Sequence, residues 1–132
     1  MILVTGGLGF VGNQIVQSLL NVNQDIKLVI REGSLVSDEL KDNTTLVYSK
    51  DLFSESCEWW IDVLMGVDIV IHAAWFSKPG EYLNSSKNID CLIGSLTLAN
   101  ACIRAKILKF VGIGSCFEYD FEPGLLSIKT PL

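Results

Sequence analysis

Four glycines, Gly6, Gly7, Gly9 and Gly12, crowd the stretch Thr5-Gly6-Gly7-Leu8-Gly9-Phe10-Val11-Gly12. Gly7, Gly9 and Gly12 fit the spacing G-x-G-x-x-G, and Gly6, Gly9 and Gly12 fit G-x-x-G-x-x-G. Glycine lets a chain turn with positive φ and lets its backbone approach a phosphate closely. Amide groups at a helix start then favour the anion. Between a strand and a helix, such a stretch is suited to the pyrophosphate of a dinucleotide. Both flanks meet that condition. Ile2 to Thr5 is a short apolar, β-prone run, and Phe10, Val11, Ile15, Val16, Leu19 and Leu20 recur at helical spacing. The competing interpretation is a tight strand–helix turn without a ligand. A nucleoside-triphosphate loop is not the alternative, because the sequence holds no G-x-x-x-x-G-K-[ST].

The end of the second apolar run bears on which dinucleotide is bound. An acid there grips the ribose 2′-hydroxyl of NAD, whereas an arginine nearby accepts the 2′-phosphate of NADP. Here the run ends Val29-Ile30-Arg31, followed by Glu32-Gly33-Ser34. The acid position holds Ile30. Arg31 and Ser34 supply donors suited to a phosphate, so NADP is the expected cofactor. Glu32 is close enough in sequence to keep NAD open.

These residues need a scaffold, and the hydropathy pattern supplies one. Buried strands are expected over Ile26 to Ile30, Thr44 to Ser49, Val67 to Ala74 and Leu108 to Ser115. Helices are expected over 54–66, behind a serine cap and early acids, and over 88–106. Residues 31–43, 76–86 and 116–132 read as loops. The strands are continuous apolar runs and alternate with helices, which argues a parallel sheet covered on both faces.

Composition narrows the function classes. The net charge is −5 and no basic patch stands out, so neither nucleic acid nor an anionic membrane is an expected partner. Cys57, Cys91, Cys102 and Cys116 form no Cys-x-x-Cys pair, and the chain has one histidine, so no metal site is expected. The first residues lack the basic start and cleavage site of a signal peptide, and the longest apolar run is too short to span a bilayer. A cytoplasmic protein is the expectation.

With these motifs in place, the sequence resembles the extended short-chain dehydrogenase/reductases, in the NAD-dependent epimerase/dehydratase group, many of which act on nucleotide sugars. Thr5 to Gly12 is similar to that family's T-G-G-x-G-[FY]-[IV]-G. Lys50-Asp51-Leu52, Val67 to Trp75 and Lys109 to Asp120 resemble three further family stretches, in the family's order. The resemblance implies a Rossmann-type doubly wound sheet in strand order 3-2-1-4-5. It implies that Asp51 and Leu52 lie near an adenine ring and that His72, Ala73 and Ala74 lie beside the cofactor. It also implies that Ser115 is the catalytic hydroxyl, holding the substrate's reacting oxygen. Trp75 and Lys78, after the fourth strand, are candidates for contact with a nucleotide-sugar substrate.

One departure matters most. The family's acid–base pair is Tyr-x-x-x-Lys, but Tyr48, Tyr82 and Tyr119 are followed four residues later by Leu52, Ser86 and Pro123. In the family a T-P-L-like stretch lies just before the catalytic tyrosine, and this chain ends Thr130-Pro131-Leu132. The expectation is therefore the dinucleotide-binding domain, residues 1–132, of a longer enzyme, ending before the last strands and the sugar region. Such a piece is expected to be nearly inactive, because an unassisted serine hydroxyl is a poor base. Its fifth strand would be an open edge that favours self-association. The alternative is a non-catalytic dinucleotide-binding or redox-sensing module that needs no such pair.

Overall fold

The computed structural model describes residues 1–115, 127, 129 and 130. Strand β1 (Ile2–Thr5) is buried along its whole length, as a strand flanked on both sides must be. It pairs in parallel with β2 (Ile26–Arg31) and with β4 (Ile69–His72). Strand β3 (Thr44–Ser49) joins β2, and β5 (Lys109–Gly112) joins β4, also in parallel. The sheet order is β3-β2-β1-β4-β5, a Rossmann-type arrangement. Thr5 stands level with Val29 on one side and His72 on the other, so three strands end together.

Alternation along each strand divides the core in two. Leu3, Val29 and Val70 face helices α3 (Cys57–Val63) and α4 (Lys87–Arg104), where Trp60, Leu64, Leu98, Ala101 and Cys102 complete one cluster. Ile2, Val4, Ile26, Leu28 and Ile30 face α1 (Phe10–Asn21) and α2 (Asp38–Asn43), meeting Val16 and Leu40. Trp59 and Trp60 illustrate the helical offset between neighbours. Trp60 is fully buried, whereas Trp59 is half-buried and meets its ring edge-on at 4.9 Å. At the sheet's margin β5 is largely exposed.

Helix α2 is a correction, since residues 31–43 were expected to form a loop. Ser37 caps it, with Oγ accepting from Leu40 N at 3.4 Å, and Asp38 and Glu39 occupy its first turn. Six residues with one buried side chain, Leu40, are too short to print a hydropathy period. A three-residue turn of 3-10 helix, Tyr82–Asn84, likewise interrupts the loop before α4.

Two contacts tie the helices to the sheet. Lys27 Nζ donates to Val63 O at 2.8 Å and Met65 O at 3.0 Å, so a strand lysine caps the end of α3. Burial lowers its pKa. At Gly94 of α4 an added Cβ would lie 2.5 Å from Phe53 Cα, so the helix sits directly on the β3–α3 loop.

Among the described residues, Thr5, Ser49 and His72 are the buried polar ones. Ser49 Oγ donates to Glu55 Oε1 at 2.6 Å, and Thr5 bonds His72. Burial lowers the His72 pKa from 6.5 to about 4.

Two outcomes follow from this packing. Gly94→Ala should destabilise the chain by roughly 1–3 kcal/mol, because the new methyl meets backbone; urea unfolding at pH 7 reads this as a lower midpoint. A histidine whose folded pKa is depressed holds fewer protons than in the unfolded chain, so its contribution is complete above pH 6.5. It is lost as pH falls toward about 4. Wild type should therefore lose up to about 3 kcal/mol more than His72→Gln between pH 7 and 4. Parallel losses in the two proteins would contradict this.

Candidate functional site

The strand order places a reversal between β1 and β4. From β1 the chain winds outward through β2 and β3, then returns to β4 on the other side. Doubly wound sheets bind ligands at the carboxyl edge of such a reversal. A cleft of ≈ 590 Å³ opens there, lined by the glycine turn and the start of α1, by the end of β2, and by Leu52, Phe53 and Ala73 to Trp75.

The glycine turn is built from contacts that larger residues cannot make. Gly6 has φ +70, and a Cβ there would lie 2.6 Å from Ala74 N. A Cβ on Gly12 would lie 2.0 Å from Gly6 O, so the first turn of α1 rests on the loop before it. Gly9 N donates to Gly6 O at 2.9 Å and closes the turn. Gly9 is the N-cap of α1, has no side chain to cap the helix, and no acid occupies the first turn. The opening amides of α1 therefore lie at the cleft without a competing carboxylate. This arrangement fits a pyrophosphate.

At the β2 rim, Ile30 is buried in the core and Arg31 is exposed. Arg31 and Ser34 both line the cleft, with Ser34 N donating to Arg31 O at 3.1 Å. A small adjoining cavity of ≈ 30 Å³ is lined by Arg31, Asp51, Leu52 and Phe53 among others. The Asp51 carboxylate accepts from Phe53 N at 3.1 Å and from Ser54 Oγ at 3.2 Å, so it also orders the loop beside that cavity.

The expected site residues divide by position. Gly6, Gly7, Leu8, Gly9, Phe10, Val11, Gly12, Arg31, Ser34, Leu52, Ala73, Ala74 and Trp75 line the main cleft. Asp51 lines only the adjoining cavity. Thr5 and His72 are buried behind the wall, where Thr5 Oγ1 lies 2.7 Å from His72 Nδ1 and His72 Nε2 lies 2.8 Å from Ser95 Oγ. Phe53 and Phe110 present their rings to the imidazole, each at 6.1 Å between centroids. Lys78 is exposed and paired with Glu81, away from the cleft lining. Ser115 is exposed just beyond β5 and does not line the cleft. Tyr119 and Cys116 fall outside the described residues.

Phe53, Asn88 and Ser95 were not among the expected site residues. Phe53 forms part of the cleft wall. Asn88 Oδ1 accepts from Trp75 Nε1 at 2.9 Å, and its Nδ2 donates to Tyr82 O at 2.6 Å, which ties the cleft-side tryptophan to α4. Ser95 reaches His72. The signal available for Ser95 was its place beside Gly94, a small pair inside an otherwise apolar helix.

Among the described residues no helix is long and apolar enough to cross a membrane, and no cluster of three metal-ligating side chains occurs. The family model for the NAD dependent epimerase/dehydratase family matches residues 2–129. A UDP-glucose 4-epimerase of Erwinia amylovora is 26% identical over 142 aligned residues, covering 98% of this chain and 41% of the relative. Among solved structures, UDP-N-acetylglucosamine 4-epimerase from Bacillus cereus matches with 27% identity and a TM-score of 0.72, over 99% of this chain and 41% of that one. UDP-glucose 4-epimerase from Bifidobacterium longum, solved with NAD+ and UDP, matches with 24% identity and a TM-score of 0.79, over 98% and 42%. This chain thus spans about two-fifths of the length of these proteins. With the glycine turn, the strand order and the family match agreeing from one end of the sheet to the other, the chain belongs to the NAD dependent epimerase/dehydratase family.

Proposed function

We propose that residues 1–132 are the dinucleotide-binding domain of an enzyme acting on a nucleotide sugar. The observation that carries this reading is the cleft at the β1–β4 reversal, where the glycine turn brings the start of α1 to the carboxyl edge of the sheet. The bound dinucleotide would take up or return a hydride at a sugar carbon. Residues of the glycine turn would hold its pyrophosphate, and Leu52 with Phe53 would flank its adenine end. Ala73 and Ala74 would leave room for its ribose. Similarity to the Erwinia amylovora relative, a UDP-glucose 4-epimerase, supports the substrate class.

NADP is the proposed dinucleotide. Buried Ile30 offers no carboxylate to a 2′-hydroxyl, and Arg31 and Ser34 supply donors at the cleft rim. Ser115 is the proposed hydroxyl that holds the sugar's reacting oxygen, with Trp75 and Lys78 on the substrate side. Without a Tyr-x-x-x-Lys pair in its sequence, this chain alone is proposed to bind but not to turn over. The second reading is a dinucleotide-binding sensor, which needs no such pair.

Titration of the chain with NADPH and NADH, followed by quenching of its three tryptophans, tests the binding reading. Saturable binding with tighter NADPH is expected, and no binding of either would sink the proposal. Arg31→Ala should weaken NADPH about tenfold and NADH little, since a charge-assisted phosphate contact is lost. Equal losses for both cofactors would remove the case for NADP. Incubation with UDP-glucose and either cofactor should give no product above background; steady turnover by this chain would overturn its proposed inactivity and exclude the sensor reading.

A further inference from the structure

The hydrogen bonds behind the cleft wall run in one direction. Ser95 Oγ donates to Cys91 O at 2.7 Å, one helical turn back. A hydroxyl has a single proton, so at its 2.8 Å contact with His72 Nε2 Ser95 must accept. His72 therefore carries its proton on Nε2. Nδ1 is then an acceptor, and the Thr5 hydroxyl donates to it at 2.7 Å. Thr5 Oγ1 in turn accepts from the Ala74 amide at 3.4 Å, the longest link. The relay reads Ala74 N–H, Thr5, His72, Ser95, Cys91 carbonyl, with one acceptor for each proton. It crosses from β1 to β4 to α4, and no charged group takes part. Among the described residues, Thr5, Ser95, Phe53 and Phe110 meet the imidazole.

The first member of the relay is part of the site. Ala74 lines the cleft, and a Cβ on Gly6 would lie 2.6 Å from Ala74 N. A shift of the Ala74 amide therefore presses on the glycine turn. Gly94, next to Ser95, seats Phe53 of the opposite wall. One turn of α4 thus supports both sides of the cleft.

We propose that Ser95 is a positioning residue, which holds His72 as the Nε2–H tautomer and, through Thr5, fixes the Ala73–Ala74 backbone at the dinucleotide cleft. Its effect on binding rests on the dinucleotide reading above, whereas the tautomer does not. Ser95→Ala leaves the Nε2 proton without its acceptor in a buried place, which frees the imidazole to exchange tautomers. Ser95→Thr keeps a hydroxyl able to bond the carbonyl one turn back, and so should restore the relay. Thr5→Val and Thr5→Ser form the matching pair at the other end.

The chain has one histidine, so the ¹⁵N spectrum of its imidazole at neutral pH is unambiguous. Wild type, Ser95→Thr and Thr5→Ser should show a protonated Nε2 and an unprotonated Nδ1. Ser95→Ala should show averaged nitrogens, whereas Thr5→Val, which keeps Ser95, should keep a protonated Nε2 and lose only the bond to Nδ1. NADPH and NADH affinity, measured on the same samples, should fall about tenfold in the last two variants and stay near wild type in the others. A wild type protonated on Nδ1, an unchanged tautomer in Ser95→Ala, or an unchanged affinity in that variant would each overturn the proposal. Should wild type bind neither dinucleotide, the functional reading fails, and the imidazole spectra alone still decide whether Ser95 sets the tautomer.

Discussion

Everything at the carboxyl edge depends on one close approach: the backbone of the β1–α1 turn lies against the end of β4 and against the first turn of α1. Gly6 and Gly12 make that approach possible, because a Cβ at either would meet backbone atoms at 2.6 and 2.0 Å. A side chain at one of these positions would push the turn away from Ala74 or the helix away from the turn. In either case the opening amides of α1 would leave the cleft. The proposed phosphate cradle is thus a consequence of backbone packing between three elements, and its shape needs no charged side chain.

Strand register supplies the second half of the constraint. Thr5 is level with His72, and the same parallel ladder carries the chain on to Ala73, whose amide donates to Thr5 O at 3.2 Å. The turn and the wall are therefore set by one pairing. Slipping it by one residue would exchange the two core faces and turn Leu3 and Val70 away from Trp60. The apolar alternation that buries the core also places the polar residues where they meet.

The sequence was informative where a signal is local and repeated. The glycine spacing, the apolar strands and the long helix each predict their own element, and the strand order follows from the family that these motifs resemble. The sequence was silent where geometry joins distant residues. Nothing in Asp51-Leu52 reveals that the carboxylate is engaged by its own loop, with Phe53 N and Ser54 Oγ as donors. Nothing in His72 reveals that its partners are Thr5 and Ser95, sixty-seven and twenty-three residues away. Helix α2 escaped for a different reason: a single buried leucine carries no period, and the Ser37 cap alone is a weak sign.

The two parts of the site answer to different forces, and this bears on how such a domain can change. The cradle is bound into the core through Gly6, Gly12 and the Thr5–His72 pair, so altering it disturbs the sheet itself. The rim proposed to read the far end of the dinucleotide is a turn, exposed from Arg31 to Gly33 and half-buried at Ser34, which follows buried Ile30 and is tied to the sheet by Glu32 N donating to Ser49 O at 2.9 Å. Substitutions at its exposed positions, Arg31 and Glu32, are surface changes, which usually alter stability by less than about 0.5 kcal/mol. Choice between related cofactors can therefore drift at the rim while the cradle stays fixed. Ser95 belongs with the cradle in this division: although its helix packs on the face of the sheet opposite α1, its hydroxyl closes the last link of the network that holds the wall.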